Sequence, residues 1–268
     1  MKKRFSIIMA LTVLMAFVIP NSSFAGIGGP TSYKYSTYPA NKVNLNVIQT
    51  SPGNIQLKAL NLSANLEHTG YIGINGGFFS DQVEGTTGMK KTHNIAINNG
   101  KPVIGTDKAG NNGWYNSGNQ GTIIWDAKNR KFLYKVLNNG WEVNKAVGHT
   151  NYWAQGGVSM SLGSANWKDT MKKEKLPNPD GLAQRTAMVY SGSGIYLIVT
   201  DTKCTAEAFR AAIQQFFGIK DGSPKNDVNG IFLDGSGSSQ MRAYDHNNKL
   251  INIKGDSRPL NQIITVTP

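Results

Sequence analysis

Short segments of alternating apolar and polar residues run through most of this chain. Residues 43–48 read V-N-L-N-V-I, and such alternation predicts a strand with one buried face. The turn Asn98-Asn99-Gly100-Lys101 joins two of these segments, and Asn-Gly favours a hairpin because both residues tolerate positive φ. The other predicted strands are 55–60, 71–74, 95–97, 102–104, 123–125, 132–137, 186–190, 195–200, 231–233, 251–253 and 263–266.

One segment has clear helical periodicity. Apolar residues recur at helical spacing over 205–217, Thr205 stands at the N-cap position, and Gly218 ends the run. A second, shorter helix is weakly indicated over 166–175. Many strands with one principal amphipathic helix predict an α+β fold built on a largely antiparallel sheet.

Two long segments show neither the strand nor the helix periodicity. Residues 105–121 are rich in Gly and Asn, and residues 163–184 are equally irregular; loops of this length are typical of lids and binding loops. Trp114 and Tyr115 lie in the first, where an aromatic pair suggests a platform for stacking a sugar.

The N-terminus has the pattern of a secretory signal peptide. Three cations precede an uncharged apolar run over 5–20, and Ser23-Phe24-Ala25 offers small residues for cleavage after Ala25. We therefore predict a signal peptide over 1–25, a single domain over 26–268, and a secreted, extracellular or wall-associated protein. No second apolar run is long enough to span a bilayer, so no membrane anchor is expected.

The chain is basic, with a formal net charge of +12. Outside a cell such a protein meets anionic polymers, and we expect an anionic glycan or wall polymer as partner; ordinary solvated surface charge explains the excess equally well. The cations are scattered, so no nucleic-acid partner is expected. The single Cys204 cannot form an internal disulfide, and nothing near it resembles a nucleophile motif.

Several common catalytic motifs do not occur in the sequence. It contains no phosphate-binding G-x-x-x-x-G-K-[ST], no H-E-x-x-H and no G-x-S-x-G, and its four histidines are isolated. No metal and no cofactor are therefore expected.

Two Gly-rich turns directly follow predicted strands. The first contains Asn75-Gly76-Gly77 and the second Asp234-Gly235-Ser236-Gly237-Ser238-Ser239. Consecutive N–H groups in such turns can form an anion-binding concavity, and the two final serines add hydroxyl donors. Each turn alone is equally explained as an ordinary tight turn.

Together, N-G-G-F-F and L-D-G-S-G-S-S-Q-M resemble the signature of the phosphodiester glycosidase family. Shorter resemblances follow the family order: Ala154-Gln155-Gly156-Gly157, Gln184-Arg185-Thr186-Ala187, Val199-Thr200-Asp201 and Arg258-Pro259. The family commonly has D-G-G-G-S-S, so Ser236 is a departure. Either that position has ordinary φ, or the turn is reshaped.

The resemblance implies a hydrolase that cleaves N-acetylglucosamine-1-phosphodiesters into a sugar and a phosphomonoester. Asp234 would be the essential carboxylate, orienting the loop or acting as base, and Arg185 would clamp the phosphate. Asn75 would hydrogen-bond the sugar or phosphate, and Glu84 and Asp201 are further candidate carboxylates. The residues expected to shape or line the substrate site are Gly76, Gly77, Gly235, Gly237, Ser238, Ser239, Gln155, Gly156 and Gly157.

Alternatives remain open at this point. Asp234 could simply accept N–H bonds from its own turn, and Arg185 could be a structural ion-pair member. The chain could also be a non-catalytic module that binds wall glycan or teichoic acid on the same fold, because a shared fold does not prove shared function.

Overall fold

The structure is a computed structural model that describes residues 31–83, 90–104 and 119–267. Strands dominate these residues. In chain order they are β1 (Tyr33–Ala40), β2 (Val43–Thr50), β3 (Ile55–Ala59), β4 (Gly73–Asn75), β5 (Phe79–Val83), β6 (Lys90–Thr92), β7 (Ala96–Asn98), β8 (Lys101–Pro102), β9 (Gln120–Asp126), β10 (Lys131–Leu137), β11 (Tyr152–Gly156), β12 (Val158–Ser159), β13 (Thr186–Ser191), β14 (Gly194–Thr200), β15 (Val228–Phe232), β16 (Met241–Tyr244), β17 (Leu250–Ile253) and β18 (Gln262–Val266).

The α-helices are α1 (Gly140–Val147), α2 (Trp167–Lys173) and α3 (Ala206–Phe217). The Thr205 hydroxyl accepts a hydrogen bond from the Ala208 N–H, and Gly218 closes α3 in a left-handed conformation, which confirms the predicted principal helix. The second predicted helix is confirmed as α2. Helix α1 was not predicted, although Asn139 caps it by accepting from the Glu142 N–H.

The strands form three large sheets and one two-stranded ribbon. The six-stranded sheet has the order β1-β2-β14-β13-β15-β12, and the five-stranded sheets have the orders β10-β9-β11-β7-β8 and β17-β16-β4-β18-β3. Every strand pair among the described residues is antiparallel. The predicted α+β class with a largely antiparallel sheet is confirmed.

The six-stranded sheet has two buried faces, as the alternation along its strands requires. On β13, Ala187 and Val189 pack in the cluster that contains Phe209 and Ile213 of α3. Met188 and Tyr190 point the other way and join residues of both five-stranded sheets. Helix α3 therefore covers one face and the other sheets cover the opposite face.

Some strands escaped prediction because their sequences do not alternate. Edge strand β1 reads Y-K-Y-S-T-Y-P-A and is partly exposed along most of its length, whereas all five residues of β11 are buried. Both patterns lack the period of two on which the prediction depends. No helix within the described ranges is long and apolar enough to cross a membrane.

Two of the sheets meet where the Gly-rich turns leave their strands. The Leu233 N–H, just after β15, donates to the Thr186 carbonyl over 2.9 Å, and the Asp234 N–H donates to the Gly76 carbonyl over 3.2 Å. The second bond joins the six-stranded sheet to the turn after β4. The fold thus brings together the two turns that the sequence singled out.

Candidate active site

A cavity of about 100 Å³ opens beside the turn that follows β15. Its walls come from the ends of β13 and β15, the segment after α2 and the loop before β18. The lining residues are Phe78, Leu176, Pro177, Asn178, Ala183, Arg185, Thr186, Phe232, Leu233, Asp234, Gly235, Ser236 and Arg258. The cavity therefore combines an apolar wall with one carboxylate and two guanidinium groups.

Asp234 is the carboxylate at this cavity. The residue keeps part of its surface accessible, but protein surrounds its carboxyl group, and this burial raises its pKa to about 6. The Ser238 side chain, the Arg258 charge and the Gly235 N–H oppose that rise, while Asp256 adds to it. A carboxyl group with this pKa can accept or release a proton near neutral pH, as general acid–base catalysis requires.

The Ser238 side chain is fully buried next to Asp234. It is close enough to lower the pKa of that carboxyl group, yet its Oγ makes no hydrogen bond to any group in the described parts of the chain. We take the contact as an electrostatic one, because the hydrogen-bond geometry is not met. Ser238 has no exposed surface and does not line the cavity, so its hydroxyl acts on Asp234 and not on a ligand.

Arg258 supplies an accessible cation. Its side chain is 41% exposed, and its Nε lies 3.7 Å from Asp256 Oδ1, too far for a hydrogen bond. Its Nη2 lies 3.5 Å from the Gly235 carbonyl oxygen. These weak contacts leave the guanidinium able to turn towards an anion in the cavity, where its fork matches phosphate oxygens.

Arg185 also lines the cavity but is more firmly held. Its Nε donates to the Cys204 carbonyl, and its Nη2 donates at 2.7 Å to the carbonyls of both Asn178 and Gly181. Burial lowers its pKa, while the guanidinium stays charged. Its Nη1 donates to no group in the described ranges, so only this nitrogen is open to a phosphate; the other two hold the cavity wall.

Cys204 fits a structural role. The residue is buried, and desolvation raises the pKa of its thiol to about 11. A thiol with that pKa is almost entirely protonated at neutral pH and is a poor nucleophile.

Asn75 is buried beneath the second turn and fully engaged there. Its Nδ2 donates to the Asp234 carbonyl, and its Oδ1 accepts from the Gln240 N–H and the Thr186 hydroxyl. The Thr186 hydroxyl also lies 3.1 Å from Ser239 Oγ, and Ser239 is fully buried. The expectation that Asn75 bonds the sugar or phosphate conflicts with this geometry, because its amide already binds protein groups. Its place is that of a residue that positions Asp234.

The first Gly-rich turn does not present free N–H groups. The Gly76 N–H donates to the Gln262 carbonyl and the Gly77 N–H to Gln262 Oε1. The predicted phosphate-binding concavity is therefore wrong for these two amides. Both glycines are required by close packing, since a Cβ would lie 2.1 Å from the Gln262 side chain at Gly76 and 2.7 Å from Asn94 at Gly77.

In the second turn, neighbouring chain segments approach the glycines closely. A Cβ at Gly235 would lie 3.2 Å from the Gln184 carbonyl oxygen, and one at Gly237 would lie 1.9 Å from Asp256 Oδ2. Ser236 has φ +56°, so the first of the two alternatives for that position, an ordinary φ, does not hold. A serine therefore adopts, at this position, the left-handed conformation that glycine normally favours.

The remaining predicted residues do not line the cavity. Gln155, Gly156 and Gly157 are buried, and their packing explains them: Gln155 bonds Gln262, and a Cβ at Gly157 would lie 2.3 Å from the Phe232 carbonyl oxygen. Asp201 is exposed and accepts from the Asn44 side chain. These contacts do not support a place for Gln155, Gly156, Gly157 or Asp201 in the substrate site. Glu84, Trp114 and Tyr115 lie outside the described residues.

The family assignment follows from a match to the model of the phosphodiester glycosidase family, which extends over residues 68–267. The match includes both Gly-rich turns and the whole described cavity. This chain belongs to the phosphodiester glycosidase family.

A solved structure shares the fold of this chain. The catalytic domain of zebrafish N-acetylglucosamine-1-phosphodiester alpha-N-acetylglucosaminidase, auto-inhibited by its pro-peptide, is 12% identical; the alignment covers 88% of this chain and 82% of that one with a TM-score of 0.56. A hypothetical protein from Synechocystis, also 12% identical, aligns over 87% of this chain and 61% of that one with a TM-score of 0.48. No curated protein matches this chain.

Within this phosphodiester glycosidase domain, sequence reasoning missed two charged residues of the site. Arg258 was noted for its resemblance to a family segment but given no role, and Asp256 was not singled out. Both lie in a short polar loop whose sequence, G-D-S-R-P, looks like an ordinary turn. The signal that could have found them is Gly237, because a glycine can mark a place where another segment approaches closely.

Proposed function

We propose that this protein hydrolyses a glycosyl-1-phosphodiester, with an N-acetylglucosamine-1-phosphate type of linkage, to a free sugar and a phosphomonoester. One observation carries the proposal: a carboxyl group with a pKa of about 6 shares a small cavity with two guanidinium groups. Family membership supports the reaction class. The 12% identity to the zebrafish enzyme supports the fold alone.

The chemistry matches the charges that are present. Hydrolysis breaks the bond between the anomeric carbon and the bridging oxygen; that oxygen leaves on the phosphate, and the water oxygen takes its place on the sugar. A phosphomonoester is a stable anion, so cations at the leaving group matter more than a strong general acid. Arg258, with Nη1 of Arg185, would stabilise that charge.

Asp234 would accept the proton of the attacking water. With a pKa of about 6 it is mainly ionised at pH 7, and it is a stronger base than an ordinary aspartate. Ser238, buried next to Asp234, would help to hold that carboxyl group in place. Asn75 would hold the Asp234 main chain in place through its 2.7 Å bond.

An end-point assay tests the proposal. The purified chain from Gly26 onward is incubated with an α-N-acetylglucosamine-1-phosphodiester, and released sugar is measured. We expect release by the wild type, a loss of at least about 100-fold in Asp234→Asn, and normal release by Asp227→Asn. Asp227 is an exposed aspartate that does not line the cavity, so it controls for the loss of one carboxylate.

A folded wild-type protein that releases no sugar from this diester would contradict the proposal. Binding of the same diester without turnover would instead favour the alternative, a non-catalytic glycan-binding module on this fold.

The proposal includes secretion with cleavage after Ala25 and action on a cell-wall or capsular polymer. The leader pattern over 1–25 and the formal charge of +9 without its three cations support both. Expression of the full chain in a bacterial host, followed by mass spectrometry of the medium, tests secretion. A mature N-terminus at Gly26 is expected; full-length protein retained in the cell would contradict it.

A further inference from the structure

A second concavity, of about 420 Å³, lies between the edges of the two five-stranded sheets. We call it the edge groove. It does not share a residue with the cavity at Asp234. Its lining residues are Leu57, Lys58, Ala59, Leu60, Tyr71, Asn98, Lys101, Pro102 and Val103.

The edge groove exists because one side chain joins two strand edges. The Asn98 side chain, at the end of β7, donates to the Leu57 carbonyl on β3 over 2.7 Å and accepts from the Leu57 N–H over 3.3 Å. Asn98 thus takes the place of a neighbouring strand at that point. Beyond it, no strand in the described ranges bridges the two edges, and the groove lies between them.

The same register leaves main-chain polar groups open in the groove. Along β3, the main-chain N–H and C=O groups of successive residues point to opposite edges of the strand. Ala59 therefore directs its N–H and C=O to the same edge as Leu57, away from β18. On β8, Pro102 is paired with Ile97 and Val103 donates to Ala96, which turns the Pro102 carbonyl outward. Within the described part of the chain, Ala59 and Pro102 therefore offer one main-chain donor and two acceptors to the groove, the kind of groups that bind sugar hydroxyls.

The side chains of the groove add an aromatic ring and positive charge. Tyr71 is 41% exposed, and the Lys58 Nζ lies 4.9 Å from its ring centroid, a cation–π contact that restrains the ring. Lys101 is exposed on the β8 side. Among the described residues, neither aspartate nor glutamate lines the groove. An exposed tyrosine with a polar and a non-polar part is well suited to pack on a sugar.

We propose that the edge groove is a binding site for a phosphate-bearing glycan. Lys58 and Lys101 would attract the phosphates, Tyr71 would pack against a sugar ring, and the open groups of Ala59 and Pro102 would bond its hydroxyls. This inference rests on the proposed function for the nature of the glycan.

The position of the groove suggests how it serves a polymeric substrate. Tyr71 lies four residues before Asn75, which is roughly 13 Å of extended chain. The same segment thus runs from the groove to the turn that positions Asp234. A polymer that occupies both places would be held by a second contact, and a tethered second contact raises overall affinity through effective concentration.

The test measures binding directly in a protein that does not cleave its ligand. Asp234→Asn is the background, and the probe is an oligomer of N-acetylglucosamine-1-phosphate repeats, titrated by calorimetry at low salt. Adding Lys58→Ala and Lys101→Ala is expected to weaken Kd about tenfold, since two exposed ionic contacts are lost. The matched control replaces Lys34 and Lys128, two exposed lysines outside the groove, with alanine.

Equal weakening by the control pair would overturn the proposal, because it would show general charge attraction. So would an unchanged Kd in the groove variant. Tyr71→Ala should weaken binding and Tyr71→Phe should retain it, because packing on a sugar needs the ring. Inorganic polyphosphate should bind more weakly than the oligomer; equal binding and equal sensitivity to Tyr71→Ala would overturn the role of the sugar.

Cleavage of a short glycosyl phosphodiester is measured with wild-type protein purified in parallel, and this assay separates the two proposals. Groove-dependent binding without any cleavage would leave the edge groove supported and the hydrolase contradicted. Cleavage without groove-dependent binding would support the hydrolase and contradict the edge groove as a binding site.

Discussion

The Asn75 side-chain amide donates a 2.7 Å hydrogen bond to the main-chain carbonyl of Asp234. Asn75 ends β4 and Asp234 follows β15, which are strands of different sheets, and the contact fixes the position of the cavity carboxylate. The oxygen of the same amide accepts from the Gln240 N–H and the Thr186 hydroxyl. One buried side chain therefore connects β4, β13 and both ends of the second Gly-rich turn.

Replacing Asn75 should damage both stability and activity. Asn75→Ala leaves the Gln240 N–H and the Asp234 carbonyl without partners in a buried place, so we expect the free energy of unfolding to fall by about 3 kcal/mol. Sugar release should fall at least about tenfold even where the variant is folded, because Asp234 loses its support. Urea unfolding and the diester assay measure the two effects.

Asn229→Ala is the matched control for Asn75→Ala. The Asn229 amide donates to the Tyr190 hydroxyl and lies outside the cavity lining. It should lower stability while the folded protein keeps its specific activity. Equal loss of activity in both variants would show that Asn75 acts only through stability.

Part of this arrangement was predictable from sequence. The two Gly-rich turns and Asp234 are local patterns after strands, and the structure brings them together. The roles of Asn75 and Arg185 were not predictable, because a side chain with the right chemistry for a ligand can equally bind main-chain carbonyls. Which of these it does depends on segments distant in sequence, such as Gln240 for Asn75 and Asn178 for Arg185.

The unpredicted elements have a similar cause. The period-two pattern reveals a strand with one solvent-exposed face and one buried face. However, β11 is buried on both faces, and β1 is partly exposed along most of its length. Helix α3 was predictable because its cap, its periodicity and its terminating glycine all agree. Where local signals agree, as there, sequence suffices; where pairing between distant segments decides, as at Asp256 and Gly237, it does not.

The raised pKa of Asp234 should make stability depend on pH. The folded value of about 6 lies above the ordinary 3.8, so the folded protein binds the proton more tightly than the unfolded chain. Below pH 4 both states are protonated and the group makes no difference. Between about pH 4 and 6 the unfolded chain ionises first, and stability falls with rising pH by at most about 3 kcal/mol.

Comparison with Asp234→Asn isolates this contribution. The amide does not ionise, so we expect the variant to gain stability relative to the wild type as pH rises from 4 to 8. Urea unfolding at pH 4, 6 and 8 measures the difference. A difference that stays constant over this range would contradict the raised pKa.

Activity should rise with pH over the range in which the stability contribution of Asp234 falls. If Asp234 accepts the proton of water, it must be ionised, and kcat/KM reports the pKa of the free enzyme. We expect kcat/KM to fall about tenfold for each pH unit below 6 and to level off above it. A pH–rate profile with the short diester measures this, and an activity that rises as pH falls below 6 would assign Asp234 as an acid.

Glycine should be tolerated better than serine at position 236. Ser236 has φ +56°, a conformation that is unfavourable for residues with a Cβ. Ser236→Gly should raise the free energy of unfolding by about 0.5–1 kcal/mol after the greater chain entropy of glycine is taken into account. Ser161 has φ +47° and lies away from the cavity lining, so Ser161→Gly should give a similar gain with unchanged activity. A loss of stability in Ser236→Gly would show that the serine side chain contributes to the turn.

Two glycines that both lack room for a Cβ should respond very differently to alanine. At Gly157 the obstacle is the Phe232 carbonyl oxygen at 2.3 Å, a main-chain atom of a buried strand; at Gly237 it is the Asp256 side chain at 1.9 Å, which is 60% exposed and can turn away. We therefore expect Gly157→Ala to lower the free energy of unfolding by about 3 kcal/mol or more, and Gly237→Ala by less than about 1 kcal/mol.

The activity of the folded Gly237→Ala protein should still fall, because Asp256 would move from its place beside Arg258 and alter the charge around Asp234. Urea unfolding and the diester assay on both variants measure this. Full activity in Gly237→Ala would mean that the position of Asp256 does not matter to the site.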